Sequence, residues 1–382
     1  MVASTCYFLA IMKMRTTIII LLLVHSNSLL LSQDSWRKNI DSLLEKNIIE
    51  HKIKGLSVGI VFKDNIQYSK GFGKLNEKSN ELISGETPFL AASISKLFVA
   101  TAIIQLQERG LIDINQKVIK YIPEFSMKDE RFKEITVKQL LNHTSGLSEG
   151  SPYRWDKVKN KNLDIKNFTL SLSKRRLLFN PGERFSYSNT GYVVLGYLIE
   201  KITNQNFATY IQDNILNQAN MTNSHFDMFY FNKLLFPEYI NSKGKIQECC
   251  IANTSPSGNL ISSATDLSKW ILLNLRLYNS FPEEDSSFIT KASQTLLWTP
   301  TQTFEGSKTT LGLGWWQYNS EKYGKSVFHS GHYTNFSVSN LVIFPEQNFG
   351  FVILCNDEAA MEVVYNQLSD GITEIVLSLL KE

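Results

Sequence analysis

The spacing of apolar and polar residues divides the chain into two sheet-forming ends. Residues 57–68 alternate around Lys63-Asp64-Asn65, a pattern that predicts a β-hairpin whose second strand is extended by residues 71–73. Residues 312–354 return to strand-like alternation, and residues 358–380 predict a closing amphipathic helix. Because connections of hairpin length join the strands, we expect an antiparallel sheet.

The middle of the chain has the spacing of helices. Residues 93–109 predict a long helix that Gly110 ends in the manner of a C-cap. From residue 111 to about residue 298 the pattern stays mainly helical, with loops at 145–156 and 179–188. One α/β region built from both ends of the chain, with a mostly α region inserted between them, is therefore the economical arrangement.

The N-terminus has the pattern of a targeting segment. Lys13 and Arg15 precede the apolar run of residues 18–24, as in a secretory signal peptide, which we assign to residues 1–32. An uncleaved membrane anchor is the alternative, but the run is short for a span and residues 25–27 interrupt it. The predicted location is secreted or periplasmic, with no membrane contact beyond the leader.

Composition and charge narrow the classes of partner. The 382 residues carry a net charge of only +3, and Lys and Arg are dispersed among acids, so no nucleic-acid partner is expected. Cys6 belongs to the leader, which leaves Cys249, Cys250 and Cys355, an odd number. Their state stays open, and because no CxxC spacing occurs, zinc is not indicated.

The segment Ser93-Ile94-Ser95-Lys96 carries the first candidate chemistry. Residues three apart share a helix face, and a hydroxyl at a helix N-terminus lies where developing negative charge is stabilised. Lys96 can accept the proton of Ser93 if burial lowers its pKa, and apolar residues 97–99 favour burial. The ordinary alternatives are an N-capping Ser93 and a surface lysine. Ser95 is expected to point away from Ser93.

A second motif is Tyr187-Ser188-Asn189, between the turn at 180–183 and the apolar run 191–202. Alternate residues of a short loop point the same way, so Tyr187 and Asn189 are expected to face one pocket while Ser188 turns aside. Tyr187 could instead be an ordinary loop aromatic, and Asn189 could cap a helix that starts near residue 190.

A third motif, His329-Ser330-Gly331, precedes the alternation of residues 336–343. This placement suits an edge strand whose glycine lets a substrate backbone approach closely. His332 lies three residues after His329, so its side chain should point the other way, and a metal site of two histidines is not expected. His143, which precedes Thr144 and Ser145, is interpreted as structural, orienting a loop beside the site.

The three motifs together resemble those of the penicillin-recognising serine hydrolases: class C β-lactamases, low-molecular-weight penicillin-binding proteins, and related esterases and peptidases. The likeness runs from about Lys54 to the end and includes residues 139–147, 181–189 and 257–267. It implies a β-lactamase/transpeptidase-like α/β (α+β) fold, in which an antiparallel sheet flanked by helices meets a mostly α region at the active-site cleft. Residues 33–382 would form this one hydrolase domain.

The resemblance also implies roles for single residues. Ser93 forms the acyl-enzyme, Lys96 and Tyr187 share the proton transfer, and Asn189 binds the acyl side of the substrate. The backbone N–H groups of Ser93 and His332 occupy the positions of the oxyanion hole. Which of Lys96 and Tyr187 is the general base stays open, and polar neighbours are expected to lower the pKa of Tyr187. No metal or organic cofactor is implied.

His329 is where the chain departs from the β-lactamases, which usually carry lysine in a Lys-Thr-Gly triplet. We expect His329 and Gly331 to contact the substrate, and we expect the charge of His329 to change near pH 6.5. The His-x-Gly form looks more like the peptidase and esterase branches, so the expected substrate is a small molecule or peptide: a carboxylic ester, or a peptide such as one with a D-amino acid. The alternatives are a true class C-like β-lactamase and a non-catalytic protein that binds penicillin or cell-wall fragments.

Overall fold

The computed structural model describes residues 35–78, 80–149, 164–227, 236–247, 256–280 and 288–380. The predicted leader, Cys249 and Cys250 lie outside these ranges. Cys355 is a buried free thiol, and burial raises its pKa to about 12. Within the described ranges, no helix has both the length and the apolar character needed to cross a bilayer.

Twelve strands are present in the described residues, and eight of them form one antiparallel sheet. The strands are β1 Gly55–Phe62, β2 Asn65–Gly73, β3 Phe89–Leu90, β4 Tyr239–Ile240, β5 Ile246–Gln247, β6 Ile261–Ser262, β7 Gln302–Thr303, β8 Thr309–Leu311, β9 Trp316–Ser320, β10 Gly324–Tyr333, β11 Ser337–Phe344 and β12 Phe349–Cys355. The sheet order is β2-β1-β12-β11-β10-β9-β8-β7, while β3 pairs with β6 and β4 with β5. The predicted hairpin and the predicted C-terminal strands are confirmed.

The helices lie mainly between the two groups of strands. They are α1 (residues 35–51), α2 Ser95–Glu108, α3 Val118–Tyr121, α4 Val137–Leu141, α5 Ile165–Ser171, α6 Asn189–Thr203, α7 Phe207–Ile211, α8 Ala264–Asn279, α9 Lys291–Trp298 and α10 Ser369–Ser378. The predicted closing helix is broken into a 3₁₀ turn at Glu358–Ala360, a π-helical turn at Val363–Leu368, and then α10.

Two helical layers cover the two faces of the sheet. Val352 and Leu354 of β12 face the larger core, which contains α2, α6 and α8. Phe351 and Ile353 alternate to the other face, where the core is completed by α1 and α10. Because both faces are buried, β12 is apolar at nearly every position, unlike a strand with one wet face.

Strands from the two sheet-forming ends of the chain pair within one sheet, as the pattern predicts. β1 pairs with β12 in antiparallel register, which places Val58 opposite Ile353. β11 and β10 follow, so the strand with His329 lies in the same sheet as the N-terminal hairpin. The helical insertion packs on the face of this sheet where α2, α6 and α8 share a core with Val352 and Leu354.

We predict that Gly59→Ala destabilises the fold. A Cβ atom at position 59 of β1 would lie 2.1 Å from Ser268 Oγ and 2.7 Å from the carbonyl oxygen of Ala264, both in α8. Overpacking of this kind should lower the free energy of unfolding by about 1–3 kcal/mol. Chemical denaturation measures it, with Gly258→Ala as the control because a Cβ at Gly258 meets open space. Equal stability of the two variants would contradict the packing argument.

Candidate active site

Ser93 lies in a turn just before α2, not inside the helix. The N–H groups of Ile94, Ser95 and Lys96 each donate to the carbonyl oxygen three residues earlier, which makes this a 3₁₀ turn. α2 begins at Ser95, two residues later than predicted, and no side chain caps it. Ala92 has φ +47°, in the left-handed region that non-glycine residues seldom adopt. The predicted long helix is confirmed, with its start at Ser95 rather than near Ser93, and the capping alternative for Ser93 is wrong.

Serine hydroxyls hold the backbone of this turn from three directions. Ser337 donates to the carbonyl oxygen of Leu90 at 2.9 Å, and Ser339 donates to that of Ala91 at 2.8 Å. Ser95 donates to the carbonyl oxygen of Ala92 at 2.6 Å and accepts from the N–H of Leu260 at 2.9 Å. Ser95 thus points away from Ser93, as expected from the sequence. These contacts hold the left-handed Ala92 in place.

Lys96 is completely buried and has a polar partner on three sides. Its Nζ lies 3.0 Å from Ser93 Oγ, 2.6 Å from Asn189 Oδ1 and 2.6 Å from the carbonyl oxygen of Ser257. The ring of Tyr187 lies 4.9 Å from Nζ, measured to the ring centroid. The structure therefore brings together the four residues Ser93, Lys96, Tyr187 and Asn189.

Burial lowers the pKa of Lys96 to about 7, and the negative charge of Glu149 opposes this shift. Much of the population is then neutral at physiological pH. A neutral amine has two N–H bonds, which match the two fixed acceptors Asn189 Oδ1 and Ser257 O. Its lone pair is left for the third neighbour, Ser93 Oγ, which can donate its proton.

Tyr187 stacks on His143 and forms a hydrogen bond with Ser93. The ring centroids of Tyr187 and His143 are 4.3 Å apart with an interplanar angle of 30°. Burial raises the pKa of Tyr187 well above its ordinary value, and the hydrogen bond with Ser93 only partly offsets this. The expected lowering of the tyrosine pKa is wrong, because desolvation outweighs the polar neighbours.

Asn189 is the first residue of α6 and not its cap. Ser188 is the N-cap, and its hydroxyl accepts the N–H of Gly191 at 3.1 Å, so Ser188 does turn aside. Both the side chain and the backbone of Asn189 contact Glu149: Nδ2 donates to Oε2 at 3.1 Å, and the N–H donates to Oε1 at 2.7 Å. Its Oδ1 is thereby turned toward Lys96.

β10 is an interior strand of the sheet, so the predicted edge strand is wrong in that respect. Its pairing with β9 ends at Phe328, however, and His329 and the following residues pair only with β11. A Cβ at Gly331 would lie 2.5 Å from the carbonyl oxygen of Ala91 and 3.0 Å from Ala92 Cβ. Gly331 is therefore explained by close approach of the turn before Ser93, rather than by a substrate backbone.

His329 is buried beside the other site residues. Its ring centroid lies 6.5 Å from that of Tyr187, and its Nδ1 donates to the carbonyl oxygen of Ser330 at 2.7 Å. Burial lowers the pKa of His329 to about 3, and the nearby Lys96 adds to the shift. His329 is neutral at every physiological pH, so the expected change of charge near pH 6.5 is wrong.

His332 points out of the site, as its spacing predicts. It is exposed, and its Nε2 lies 2.9 Å from Glu358 Oε1. Since His329 is buried and His332 is exposed, the two rings do not converge. The described ranges contain no group of three or more His, Cys, Asp or Glu side chains that could hold a metal ion. Gly331 of β10 lies close to Ala92 of the turn before α2. The two predicted oxyanion donors, the backbone N–H groups of His332 and Ser93, belong to the residues that directly follow these two.

Sequence reasoning missed three contributors to this site. Ser257 contributes a backbone carbonyl, for which no side-chain signal exists. Tyr192 lies 5.5 Å from Lys96 Nζ, and its position one turn after Asn189 on α6 could have revealed it. Glu149 lies in the predicted loop 145–156, where an exposed acid gives no sign that it orients an asparagine.

This arrangement agrees with what comparison with known proteins finds. The Beta-lactamase family model matches residues 36–367, which is most of the chain. The chain belongs to the β-lactamase family of serine hydrolases. The β-lactamase/transpeptidase-like fold implied by the sequence motifs is confirmed.

Individual relatives have low sequence identity to this chain but align with most of it. Protein flp of Staphylococcus aureus (strain MRSA252) is 30% identical over 333 residues, which are 85% of this chain and 64% of the relative. The chain thus spans less than two thirds of the length of that relative. Penicillin-binding protein 4* of Bacillus subtilis (strain 168) is 27% identical over 350 residues, covering 85% of this chain and 73% of its own.

A solved structure supports the same assignment. The octameric penicillin-binding protein homologue from Pyrococcus abyssi matches with a TM-score of 0.72 and 26% identity, over 86% of this chain and 77% of that chain. The match extends over most of this chain rather than over one part of it.

We predict that Glu149→Gln lowers the pKa of Lys96 below about 7. The carboxylate favours the charged ammonium, so its removal leaves the effect of burial less opposed. NMR of protein labelled with ¹³C-lysine follows the titration directly, with Glu134→Gln as the control because Glu134 pairs with the exposed Lys117. An unchanged or raised pKa in Glu149→Gln would contradict the electrostatic account.

Proposed function

We propose that this protein hydrolyses peptides or carboxylic esters through an acyl-enzyme on Ser93. One observation carries the proposal: Lys96, buried and with its pKa near 7, lies 3.0 Å from Ser93 Oγ while two other acceptors occupy its N–H bonds. A serine with such a neighbour can lose its proton as it attacks, without a histidine triad.

Acylation follows from these contacts. Ser93 Oγ attacks the carbonyl carbon and its proton passes to Lys96 Nζ, while the carbonyl π electrons move to oxygen. The backbone N–H groups of Ser93 and His332 receive the resulting oxyanion. The C–N or C–O bond then breaks, and the leaving group takes the proton from Lys96 through the hydroxyl of Tyr187.

Deacylation uses the same groups in reverse order. Water attacks the acyl ester on Ser93 and gives one proton to Lys96, and the acid product leaves as Ser93 Oγ takes the proton back. Lys96 is the proposed general base, because its neutral form is populated near pH 7. Tyr187, whose pKa is raised by burial, stays protonated and relays protons as a neutral hydroxyl.

The residues around the acyl group support a substrate without an obligatory carboxylate. His329 has a protonated Nδ1 that donates to Ser330, so its buried Nε2 is an acceptor without a partner among the described residues. As a neutral group, His329 offers no positive charge for a substrate carboxylate. Asn189 is proposed to contact the acyl side and Gly331 to line the same wall. A true β-lactamase remains the second candidate within the family.

We also propose that the protein acts outside the cytoplasm. The support is the N-terminal pattern of Lys13 and Arg15 before a short apolar run. N-terminal sequencing of the protein recovered from the culture medium or periplasm tests both the location and the cleavage near residue 32.

Ser93→Ala should abolish turnover and leave the fold intact. Ser93 does not cap α2 but forms hydrogen bonds with Lys96 and Tyr187, so its loss should lower the free energy of unfolding by no more than about 1.5 kcal/mol. Loss of turnover is measured by hydrolysis of ester and D-amino-acid peptide panels and by covalent labelling with a fluorophosphonate. Stability is measured by thermal unfolding. Fluorescent penicillin added to the panel separates the β-lactam alternatives.

The matched control for this prediction is Ser95→Ala. It removes two buried hydrogen bonds of the turn and should lower stability, yet it leaves the nucleophile in the chain. Fluorophosphonate labelling should persist in Ser95→Ala and vanish in Ser93→Ala. Strong hydrolysis by a folded Ser93→Ala protein would refute the acyl-enzyme proposal, and labelling without hydrolysis of any substrate would favour the non-catalytic alternative.

The preference of the enzyme between carboxylate-bearing and neutral substrates should not depend on pH between 5 and 8. His329 stays neutral well above its pKa of about 3, and the titration of Lys96 affects both substrates alike. For each substrate, kcat/KM should rise with pH through about 7, as Lys96 loses its proton. The measurement is kcat/KM against pH for a matched pair of esters.

His329→Lys should then shift the preference toward the carboxylate-bearing ester by about tenfold, since hydrogen bonds to charged groups are worth about 1.5–3 kcal/mol. His329→Gln, which adds no charge, is the control. The idea fails if the wild-type preference for the acidic ester declines as pH rises through 6.5, or if the lysine and glutamine variants prefer the same ester.

A further inference from the structure

His143 contacts four consecutive residues of the loop that carries Tyr187. Its ring meets Phe185 edge-on, with centroids 5.9 Å apart, and stacks on Tyr187 at 4.3 Å. Its carbonyl oxygen accepts the N–H of Ser186 at 2.9 Å, and its Nδ1 accepts the N–H of Ser188 at 3.0 Å. One side chain and its own backbone thus hold the whole segment between the turn and α6.

The hydrogen bond to Ser188 fixes the form of this histidine. An Nδ1 that accepts a backbone N–H carries no proton, so the neutral ring has its proton on Nε2. His143 is 1% exposed, and burial together with the facing Lys96 and His329 lowers its pKa well below the ordinary value. Its Nε2 has no partner among the described residues, so the polar atom that this position uses is Nδ1.

The backbone of His143 also has an unusual conformation. Its φ is +60°, in the left-handed region where most side chains are strained and asparagine and histidine are better tolerated. This conformation directs the ring and the carbonyl oxygen to the same loop. The left-handed backbone and the accepted hydrogen bond both indicate that His143 does more than fill space in the core.

We propose that His143 is a positioning residue: by accepting the Ser188 N–H it sets Tyr187 against Ser93 and Asn189 against Lys96. The inference rests on the proposed acyl-enzyme function and adds a group that contacts neither substrate nor nucleophile. Ser188 lies between the two residues concerned and caps α6, so a shift of its amide moves both neighbours. Phe185 meets the imidazole edge-on and Tyr187 stacks on it, and both contacts limit its rotation.

Two substitutions separate the acceptor from the ring. His143→Asn keeps an acceptor close to the place of Nδ1 and tolerates positive φ, but loses the stack on Tyr187. His143→Phe keeps a ring for Tyr187 but leaves the Ser188 N–H unpaired. Thr290→Ala is the control, because it removes an acceptor of a backbone N–H, that of Ser293, at the start of α9.

The acylation rate at Ser93, measured in single turnover with an ester, should fall about hundredfold in His143→Phe and less than about tenfold in His143→Asn, because a misplacement of reacting groups by about 1 Å costs about hundredfold in rate. KM measured in steady state should change little, and Thr290→Ala should acylate like the wild type. Hydrogen exchange of the 185–189 segment should accelerate in His143→Phe only. Equal rates in all variants, or equal losses in the phenylalanine and asparagine variants, would overturn the proposal.

A second measurement uses the unaltered protein and stands even if His143→Phe does not fold. In ¹⁵N-histidine NMR, His143 should show the neutral Nε2–H form throughout pH 5–8, whereas His329 should show the Nδ1–H form. A protonated Nδ1 on His143 would overturn the proposal. Failure of the wild type to acylate Ser93 would instead refute the proposed function, and the exchange and NMR results would still decide the anchoring role.

Discussion

The site depends on a lysine amine that is buried away from bulk solvent. Lys96 is removed from solvent by α2, α6 and the loop that carries Ser257, and its three polar contacts replace the hydration it loses. Because burial outweighs these contacts, the pKa of Lys96 is lowered to about 7. The neutral amine can then accept the proton of Ser93 Oγ. If either fixed acceptor were lost, the buried charge would be stabilised less and the lone pair would no longer be directed to Ser93.

Contacts from the surrounding segments fix the turn that carries Ser93 beside the buried Lys96. The nucleophile lies in a 3₁₀ turn with a left-handed residue, a conformation that persists only because neighbouring segments impose it. Hydroxyls of Ser95 and Ser339 bind the turn from its own helix and from β11. Gly331 lets β10 come within contact of the same turn, so helix, sheet and loop meet around one peptide unit.

The sequence predicts the fold and the membership of the site better than it predicts protonation. The motifs at Ser93, Tyr187 and His329 could be recognised because each combines chemistry with a characteristic position next to a helix or strand. The pKa values of Tyr187 and His329 were expected in the wrong direction or range, because desolvation depends on how completely other segments cover a group. The roles of Ser257 and Glu149 could not be predicted from the sequence. Ser257 contributes only its backbone carbonyl, and Glu149 is an exposed acid in a loop without a recognisable motif.

The pairing of β1 with β12 has a consequence for how the protein is made. β1 pairs with β12, a strand almost 300 positions later in the sequence, so the large sheet has many contacts between distant residues and cannot close until β12 has been synthesised. The turn around Ser93 needs β10 and β11 for its support. A nascent or truncated chain therefore carries the nucleophile without the surroundings that make it reactive, and reactivity is withheld until the last strands are in place.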